Sequence, residues 1–420
     1  MRWSAPATTV AEMVTGSENP YLTAREAAAE LNVSRATLYA YVSRGLIRSE
    51  PVDGARARRY RADDVRALRQ RKSPRGEAGT APGPFLPGLP TLDSAITLIT
   101  DDAYYYRGRD ATALAAVASL ESLAGLLWQC GDADPFAQTP DALPDVAVDR
   151  LAADLGLGGI NLAVAALAAA QARDLRAYNL EPRGVARTGA GIVRLIAAAV
   201  AGTAPAVTPV HVQLAEAWRA PPGAAMLIRA ALVLAADHEL NASAFTVRCV
   251  AATRATPYAA VIAGLSALEG PRHGGLTARV AALFDEALAH ADPGAAVAAR
   301  VRRGERLPGF GHPLYPQGDP RWFALKAMMA QHSACAAGLE RAFAIATAAT
   351  EMTDQQPNID FGLVALQRAL GLPAGAPLAL FATGRAVGWI AHAQEQYARP
   401  ELIRPRARFT GEEPQPARPG

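Results

Sequence analysis

Cysteine is nearly absent: Cys130, Cys249 and Cys335 stand singly in a chain of 420 residues. Three thiols cannot pair fully and no C-x-x-C occurs, so neither a disulfide framework nor a zinc ribbon is expected, and a reducing cytoplasm is the expected compartment. Long apolar runs are missing as well. No stretch of eighteen or more residues escapes charge, proline or polar breaks, so no membrane-spanning helix and no membrane partner are expected. Residues 1–19 carry Arg2, Glu12 and Glu18 and lack the continuous apolar core of a secretory signal. Strand signals are sparse and no internal repeat occurs. What remains is ordinary for a globular protein, half apolar and 19% charged, with length for two to four domains.

The net charge of +3 conceals an asymmetry. Tyr21 to Lys72 holds twelve Lys and Arg against six Asp and Glu, whereas the remainder is slightly acidic. A polyanion partner is therefore expected for that segment alone. Residues 1–20 have no strong period and read as loose. Thr23 and Glu26 have the form of a capping box opening a helix from Ala24 to about Leu31. Asn32-Val33 reads as a tight turn, and Ser34 as the cap of a second helix, Arg35 to Arg44, ended by Gly45. Leu46–Ser49 and Arg58–Arg61 are strand-like and flank Asp53-Gly54, a hairpin signal. Asp63 is placed to cap a third helix, Asp64 to Arg71. Residues 73–90 are rich in Pro and Gly and read as a linker. Residues 91–420 read as Ala-rich helix, broken near 134–144, 202–209, 221–223, 270–275, 304–320 and 371–377, with Ile96 to Tyr106 as a candidate hairpin and a basic, Pro-rich tail from Arg404.

Two short helices and a basic hairpin, over residues 21–72, form the layout of a winged helix-turn-helix. The second helix would present Arg35, Thr37, Tyr39 and Tyr41 to a major groove, and Arg56, Arg58, Arg59 and Arg61 would meet phosphates of duplex DNA. The segment resembles the DNA-binding domain of the MerR and excisionase families. A small helical domain that only mediates protein contacts is the alternative.

Seven histidines punctuate the larger segment: His211, His238, His273, His290, His312, His332 and His392. His290 and His332 sit in helical, polar-flanked positions, His392 reads as packed inside a helix, and His211 has no partner in sequence. His238, His273 and His312 lie near backbone breaks, where side chains are often aimed into clefts. A metal site built from these three is disfavoured, because no pair has helical ligand spacing and no Cys ligand accompanies them. Two histidines and a carboxylate, by contrast, are the parts needed to take a proton from carbon beside a carbonyl.

Six motifs occur in the order and approximate spacing of the citrate synthase family, over roughly Pro90 to Gly411. They are Asp237-His238-Glu239-Leu240-Asn241-Ala242-Ser243, Gly270-Pro271-Arg272-His273-Gly274-Gly275, Pro308-Gly309-Phe310-Gly311-His312, Asp319-Pro320-Arg321, Pro357-Asn358-Ile359-Asp360-Phe361 and Ile403-Arg404-Pro405-Arg406. The resemblance implies a mainly α fold: all-helical large and small domains, the smaller a lid over about 274–383, preceded by the small winged helix-turn-helix domain. It implies condensation of acetyl-CoA with oxaloacetate to citrate, as in the tricarboxylic acid cycle, with no cofactor and no metal. Asp360 resembles the general base, His273 the donor to the thioester oxygen, and His312 the residue that polarises the keto group. His238, Arg321, Arg385 and Arg404 resemble the oxaloacetate-binding residues. Arg404 in this family acts across the subunit interface, which implies a homodimer.

The chemistry of the residues agrees with that set. A thioester α-proton is a very weak acid, and a carboxylate removes it only if charge growing on the carbonyl oxygen meets a fixed donor in a dry site. Oxaloacetate is a dianion, for which several arginines are the expected clamp. Singly, each residue has a simpler reading: Asp360 as a helix cap, Arg321 and Arg385 as surface ion pairs, Arg404 as part of a solvated tail, His273 as a satisfied turn residue. The pattern also departs from the family. Leu276-Thr277 stands where Ala-Asn is usual, Pro313 and Pro316 replace residues that are often basic and bind CoA phosphates, and Gly362-Leu363-Val364 replaces Tyr-Ser-Gly. Arg272, Arg302 and Arg303 are the candidate substitutes for phosphate binding. The departures point to an altered acyl-CoA, such as propionyl-CoA in a 2-methylcitrate synthase, or to reduced activity. The competing expectation is a metabolite-sensing transcription regulator.

Overall fold

The computed structural model describes residues 21–31, 33, 35–43, 47–51, 58–65, 92–137, 144–405, 407 and 409–411. Asn32, Ser34, Gly45, Asp53-Gly54 and the linker at 73–90 lie outside the described residues, as do residues 1–20 and the end of the tail. The chain divides into two compact units, Met1–Gly88 and Leu89–Gly420.

In the first unit a strand β1 (Tyr21–Thr23) precedes α1 (Ala24–Glu30) and α2 (Arg35–Ser43). The capping box is formed as the sequence requires: Thr23 accepts from the Glu26 amide, and the Glu26 carboxylate accepts from the Thr23 amide at 2.8 Å. Strands β2 (Ser49–Pro51) and β3 (Arg58–Arg61) complete an antiparallel sheet in the order β1-β3-β2. The sequence pattern missed β1, and β2 begins where the expected strand ended. Helical backbone begins at Ala62, so Asp63 lies inside the turn and is not its cap. Ala27, Leu31, Leu38, Ile47, Tyr60 and Val65 form the small core.

The second unit opens with the expected hairpin, β4 (Thr97–Ile99) and β5 (Tyr104–Tyr106), extended by a short β6 (Arg109–Asp110). Helices α3 (Ala111–Val117), α4 (Leu120–Leu127), α5 (Val148–Leu155), α6 (Gly159–Gln171), α7 (Pro182–Ala201), α8 (Val210–Ala217) and α9 (Ala224–Ala235) follow. Then come α10 (Ala242–Ala252), α11 (Pro257–Leu268), α12 (Leu276–Leu288), α13 (Pro293–Arg302), α14 (Pro320–Ala330), α15 (Ala336–Thr353), α16 (Ile359–Leu370) and α17 (Ala376–Tyr397). Their boundaries follow local chemistry. Asp110, Ser119, Asn241, Thr256, Asp292, Asp319 and Asn358 accept first-turn amides as N-caps. Gly202 and Gly371 end α7 and α16 in the left-handed region.

The core runs continuously through this unit, with α7, α9 and α17 buried on nearly all sides. Among the described residues α7 alone is long and apolar enough to cross a membrane, and 83% of its apolar window is buried inside the protein. Small residues let the central helices approach. A Cβ on Gly384 would strike the Leu232 carbonyl, and one on Gly388 the Ala236 carbonyl, so α17 and α9 touch backbone to backbone. The fold is the mainly helical one expected.

Candidate active site

The C-terminal end of α9 is held by donors from elsewhere in the chain, where a helix normally leaves carbonyls unmet. Tyr106 donates to Val233 O at 3.0 Å, Tyr104 to Leu234 O at 3.2 Å, Arg385 Nε to Ala235 O at 2.8 Å and the Gly388 amide to Ala236 O at 3.2 Å. The next residue, Asp237, is wholly buried and accepts from Thr97 Oγ1 at 2.5 Å and His392 Nε2 at 3.1 Å. Burial opposes its charge, but the His392 contact prevails and holds its carboxyl below the usual range. This clamp fixes the backbone from which His238 projects. His392 is therefore more than a packed helix residue: it holds the carboxylate next to His238.

His273 sits on the turn between α11 and α12. A Cβ on Gly274 would overlap Leu268, and one on Gly275 would overlap the Glu269 carbonyl, so the turn tolerates only glycine there. Ser243 Oγ lies 2.8 Å from His273 Nε2 and 2.7 Å from Asn241 Oδ1 and accepts from Trp389 Nε1 at 3.2 Å. Asn241 Oδ1 already accepts the Ser243 and Ala244 amides, so the hydroxyl proton is free for His273 Nε2 and the ring N–H is left on Nδ1. Sequence reasoning passed over Ser243 and Trp389; Ser243 stands in the motif that carries His238.

Two loops bring the remaining groups together. The Asn358 amide donates to Gly309 O at 2.9 Å, the Gly311 amide to Gln356 O at 2.8 Å, and Asn358 Nδ2 to Gly311 O at 3.1 Å. Gly309 and Gly311 hold φ of +85° and +74°, which this pairing requires of glycine. His312 is thereby zipped beside the start of α16. Asn358, not Asp360, caps that helix, accepting from the Asp360 and Phe361 amides. The capping explanation for Asp360 falls away: its Oδ1 is buried and has no hydrogen-bond partner.

Arg321 and Arg385 are not surface ion pairs. Arg321 is 2% exposed and bidentate to Asp319, at 2.9 and 2.7 Å, and Asp319 also accepts from the Ile359 amide, joining α14 to α16. Burial disfavours the Arg321 charge, but Asp319 outweighs it and keeps the guanidinium firmly protonated. Arg385 is 1% exposed, stacks on Phe381 at 4.9 Å, and keeps its NH2 atom buried and unpartnered. Phe381 in turn meets the His273 ring edge at 5.8 Å.

The electrostatics follow from burial. Desolvation, then Arg385, lowers His273 to about 4, and desolvation, then Arg321, lowers His312 to about 4. His238 is driven well below its ordinary value by burial and then by Arg321 and His312. All three rings are neutral at pH 7. The Leu314 amide donates to His312 Nδ1 at 3.2 Å, so the His312 proton is on Nε2. Asp360 moves the other way: burial raises its carboxyl to about 7, against the opposing pull of Arg321. The site thus pairs neutral N–H donors with a carboxyl poised near neutrality.

The structure gathers His238, His312, Arg321, Arg385, His273 and Asp360 in one unit; the His238 and His312 ring centroids are 5.1 Å apart. Arg404 is exposed in the tail, with no hydrogen bond or ion pair to these groups. Pro313, Pro316, Arg272 and Arg302 are exposed, while Arg303 is paired with Glu305 and Glu286. Among the described residues no cluster of three or more His, Cys, Asp or Glu is arranged for a metal ion.

In the first unit Tyr39 is 52% exposed, but Thr37 and Tyr41 are half-buried, and Tyr41 packs against the small core. Arg35 opens α2. Arg58 is bonded to Ser49, and Arg59 pairs with Glu50 and stacks over Tyr21 at 4.2 Å; both stay exposed. The exposed groove-facing set is therefore smaller than the sequence pattern implied.

Comparison with known proteins identifies the family to which this chain belongs. The family model for the citrate synthase C-terminal domain matches residues 85–406, and that for a helix-turn-helix domain matches 21–73. The chain belongs to the citrate synthase family. It is 37% identical to citrate synthase 2 of Bacillus subtilis over 44% of this chain and 50% of that protein. It is 31% identical to the 2-methylcitrate synthase of Shewanella oneidensis over 44% and 50%. The chain spans about half the length of the curated relatives it matches. Among solved structures, citrate synthase from Pyrobaculum aerophilum superposes with a TM-score of 0.66 at 24% identity, covering 79% of this chain and 93% of that one. A ternary complex of the Thermoplasma acidophilum citrate synthase with carboxymethyl coenzyme A and oxaloacetate gives 0.62 at 22%, covering 79% and 97%.

Proposed function

We propose that the second unit condenses an acyl-CoA, acetyl-CoA in the first instance, with oxaloacetate and releases citrate and CoA. The observation that carries this reading is the pair of buried, unpartnered atoms, Asp360 Oδ1 and Arg385 NH2, with the Arg385 charge felt by both Asp360 and the neutral His273. A buried polar group without a partner is costly, and the cost is recovered when a ligand supplies the partner. Oxaloacetate offers two carboxylates to Arg321, Arg385 and His238, and its keto oxygen to His312 Nε2–H. Asp360 takes a proton from the acyl α-carbon while His273 donates to the thioester oxygen, so the enol forms without a free enolate. The enol carbon attacks the keto carbon, whose oxygen gains stabilisation from His312. Water then cleaves the thioester and CoA leaves as the thiol. Arg404 of a second copy completes the carboxylate clamp, and residues 274–383 act as the lid that excludes water.

The test is release of free CoA thiol with oxaloacetate and a panel of acetyl-, propionyl- and butyryl-CoA. Release with at least one donor is expected, and its loss in His312→Ala; no release with any donor refutes the reading. The likeness to both citrate and 2-methylcitrate synthases makes the propionyl arm the informative one.

The helix-turn-helix match and the exposed Arg58 and Arg59 favour a second, compatible activity, binding of duplex DNA by residues 21–72 with metabolite occupancy as its signal. It requires salt-sensitive retention on upstream DNA, with the salt slope reduced by about 2 in the Arg58→Ala, Arg59→Ala double variant. Retention that is absent at low salt removes it.

A further inference from the structure

Tyr315 stands three residues beyond His312, outside every role given so far. Its side chain is 1% exposed and lies between two site histidines, with ring centroids 4.9 Å from His312 and 5.5 Å from His238. The Arg321 guanidinium is 5.9 Å from its ring centre. Its hydroxyl makes one hydrogen bond, 2.8 Å to His238 Nε2, and His238 Nδ1 makes none within the described protein.

We propose that Tyr315 is a positioning residue: its hydroxyl donates to His238 Nε2, fixes the Nδ1–H tautomer, and so leaves His238 presenting a donor to the oxaloacetate site. The inference rests on the reading of that site as one for a keto-diacid. The reasoning is a count of protons. A phenol has one proton and the Tyr315 hydroxyl has no other acceptor. If His238 donated instead, that buried phenol proton would be left unpaired, and a bare Nδ1 lone pair would remain for an anionic ligand. Both penalties vanish when Tyr315 donates. Burial raises the Tyr315 hydroxyl and lowers His238, so the bond joins two neutral groups and direction alone sets the tautomer. His312 is held the opposite way, its Nδ1 occupied by the Leu314 amide and its proton on Nε2. Two neutral rings in contrary tautomers thus both offer N–H, as suits oxaloacetate, which carries only acceptors in its dianionic keto form.

The assignment is tested on the full-length chain labelled with 15N-histidine. Long-range 1H–15N spectra report which ring nitrogen is protonated, and His238→Gln identifies the signals. Wild type is expected to show His238 protonated on Nδ1, and Tyr315→Phe, which keeps the ring and loses the hydroxyl, to show Nε2–H appearing. In steady-state assays Tyr315→Phe is expected to raise KM for oxaloacetate about three- to tenfold, with KM for the acyl-CoA unchanged. Nε2–H on His238 in wild type, or an unaltered tautomer in Tyr315→Phe, overturns the proposal. Should the variant fail to fold, the wild-type spectrum decides. The expected tautomers without any thiol release would refute the synthase reading while leaving the Tyr315–His238 assignment standing.

Discussion

Replacing Asp360 by Asn should abolish thiol release and, above neutral pH, stabilise the protein. The second effect follows from burial. The folded chain holds the Asp360 proton up to about pH 7, whereas an unfolded Asp releases it near 4. Between those values the folded state binds more protons, so this group's contribution to stability falls as pH rises and the full penalty is present above 7. Three pH units at 1.36 kcal/mol each bound the penalty at about 4 kcal/mol. Asp360 is half-buried as a residue and is near Arg321 and Arg385, so about 2 kcal/mol is the working expectation. Asn pays a pH-independent cost for its own amide, so the readout is the change with pH. The melting temperature of Asp360→Asn minus that of wild type should grow by about 4 °C between pH 5 and pH 8. The same carboxyl should give wild-type kcat/KM an ascending limb near pH 7. A melting difference that stays flat across that range would refute the account of Asp360 as a desolvated base.

Arg385→Lys should raise KM for oxaloacetate by about 10- to 100-fold with little change in KM for the acyl-CoA, because an ammonium cannot keep the bond to Ala235 O and also present a planar donor to a carboxylate; equal rises in both KM values would refute it. Gly388→Ala forces a methyl onto the Ala236 carbonyl and beside Asp237, and should cost about 2–4 kcal/mol in urea unfolding together with a loss of oxaloacetate affinity; a variant of wild-type stability would show that α9 and α17 can part.

Much of this was legible in residue order. The first helix announced itself through Thr23 and Glu26, because capping is local chemistry. Asn241, Asp319 and Asn358 cap their helices by the same chemistry, though the pattern had offered Asp360 in place of Asn358. Glycines near His273 and His312 marked the turns that aim those rings. What stayed hidden depends on contacts between distant segments. The Asp237–His392 pair joins residues 155 apart, and Tyr104 and Tyr106 reach α9 across more than 120 positions; no short-range period encodes such a meeting. The same holds for Trp389, whose indole meets Ser243 from another helix, and for β1, a three-residue strand that exists only because β3 lies beside it. Tyr41 looked like a groove-facing residue by spacing, and was claimed by a core too small to be complete without it.

The bare seam between α9 and α17 has a further meaning. Arg385 follows one glycine of that seam and precedes the other by three residues, and His238 lies just past the end of the facing helix. Tolerance for bulk and fidelity of aim are therefore one trait here. A lineage that fattened either glycine would spread the two rods and draw the guanidinium away from the imidazole, so the aim of both groups would go before the fold did.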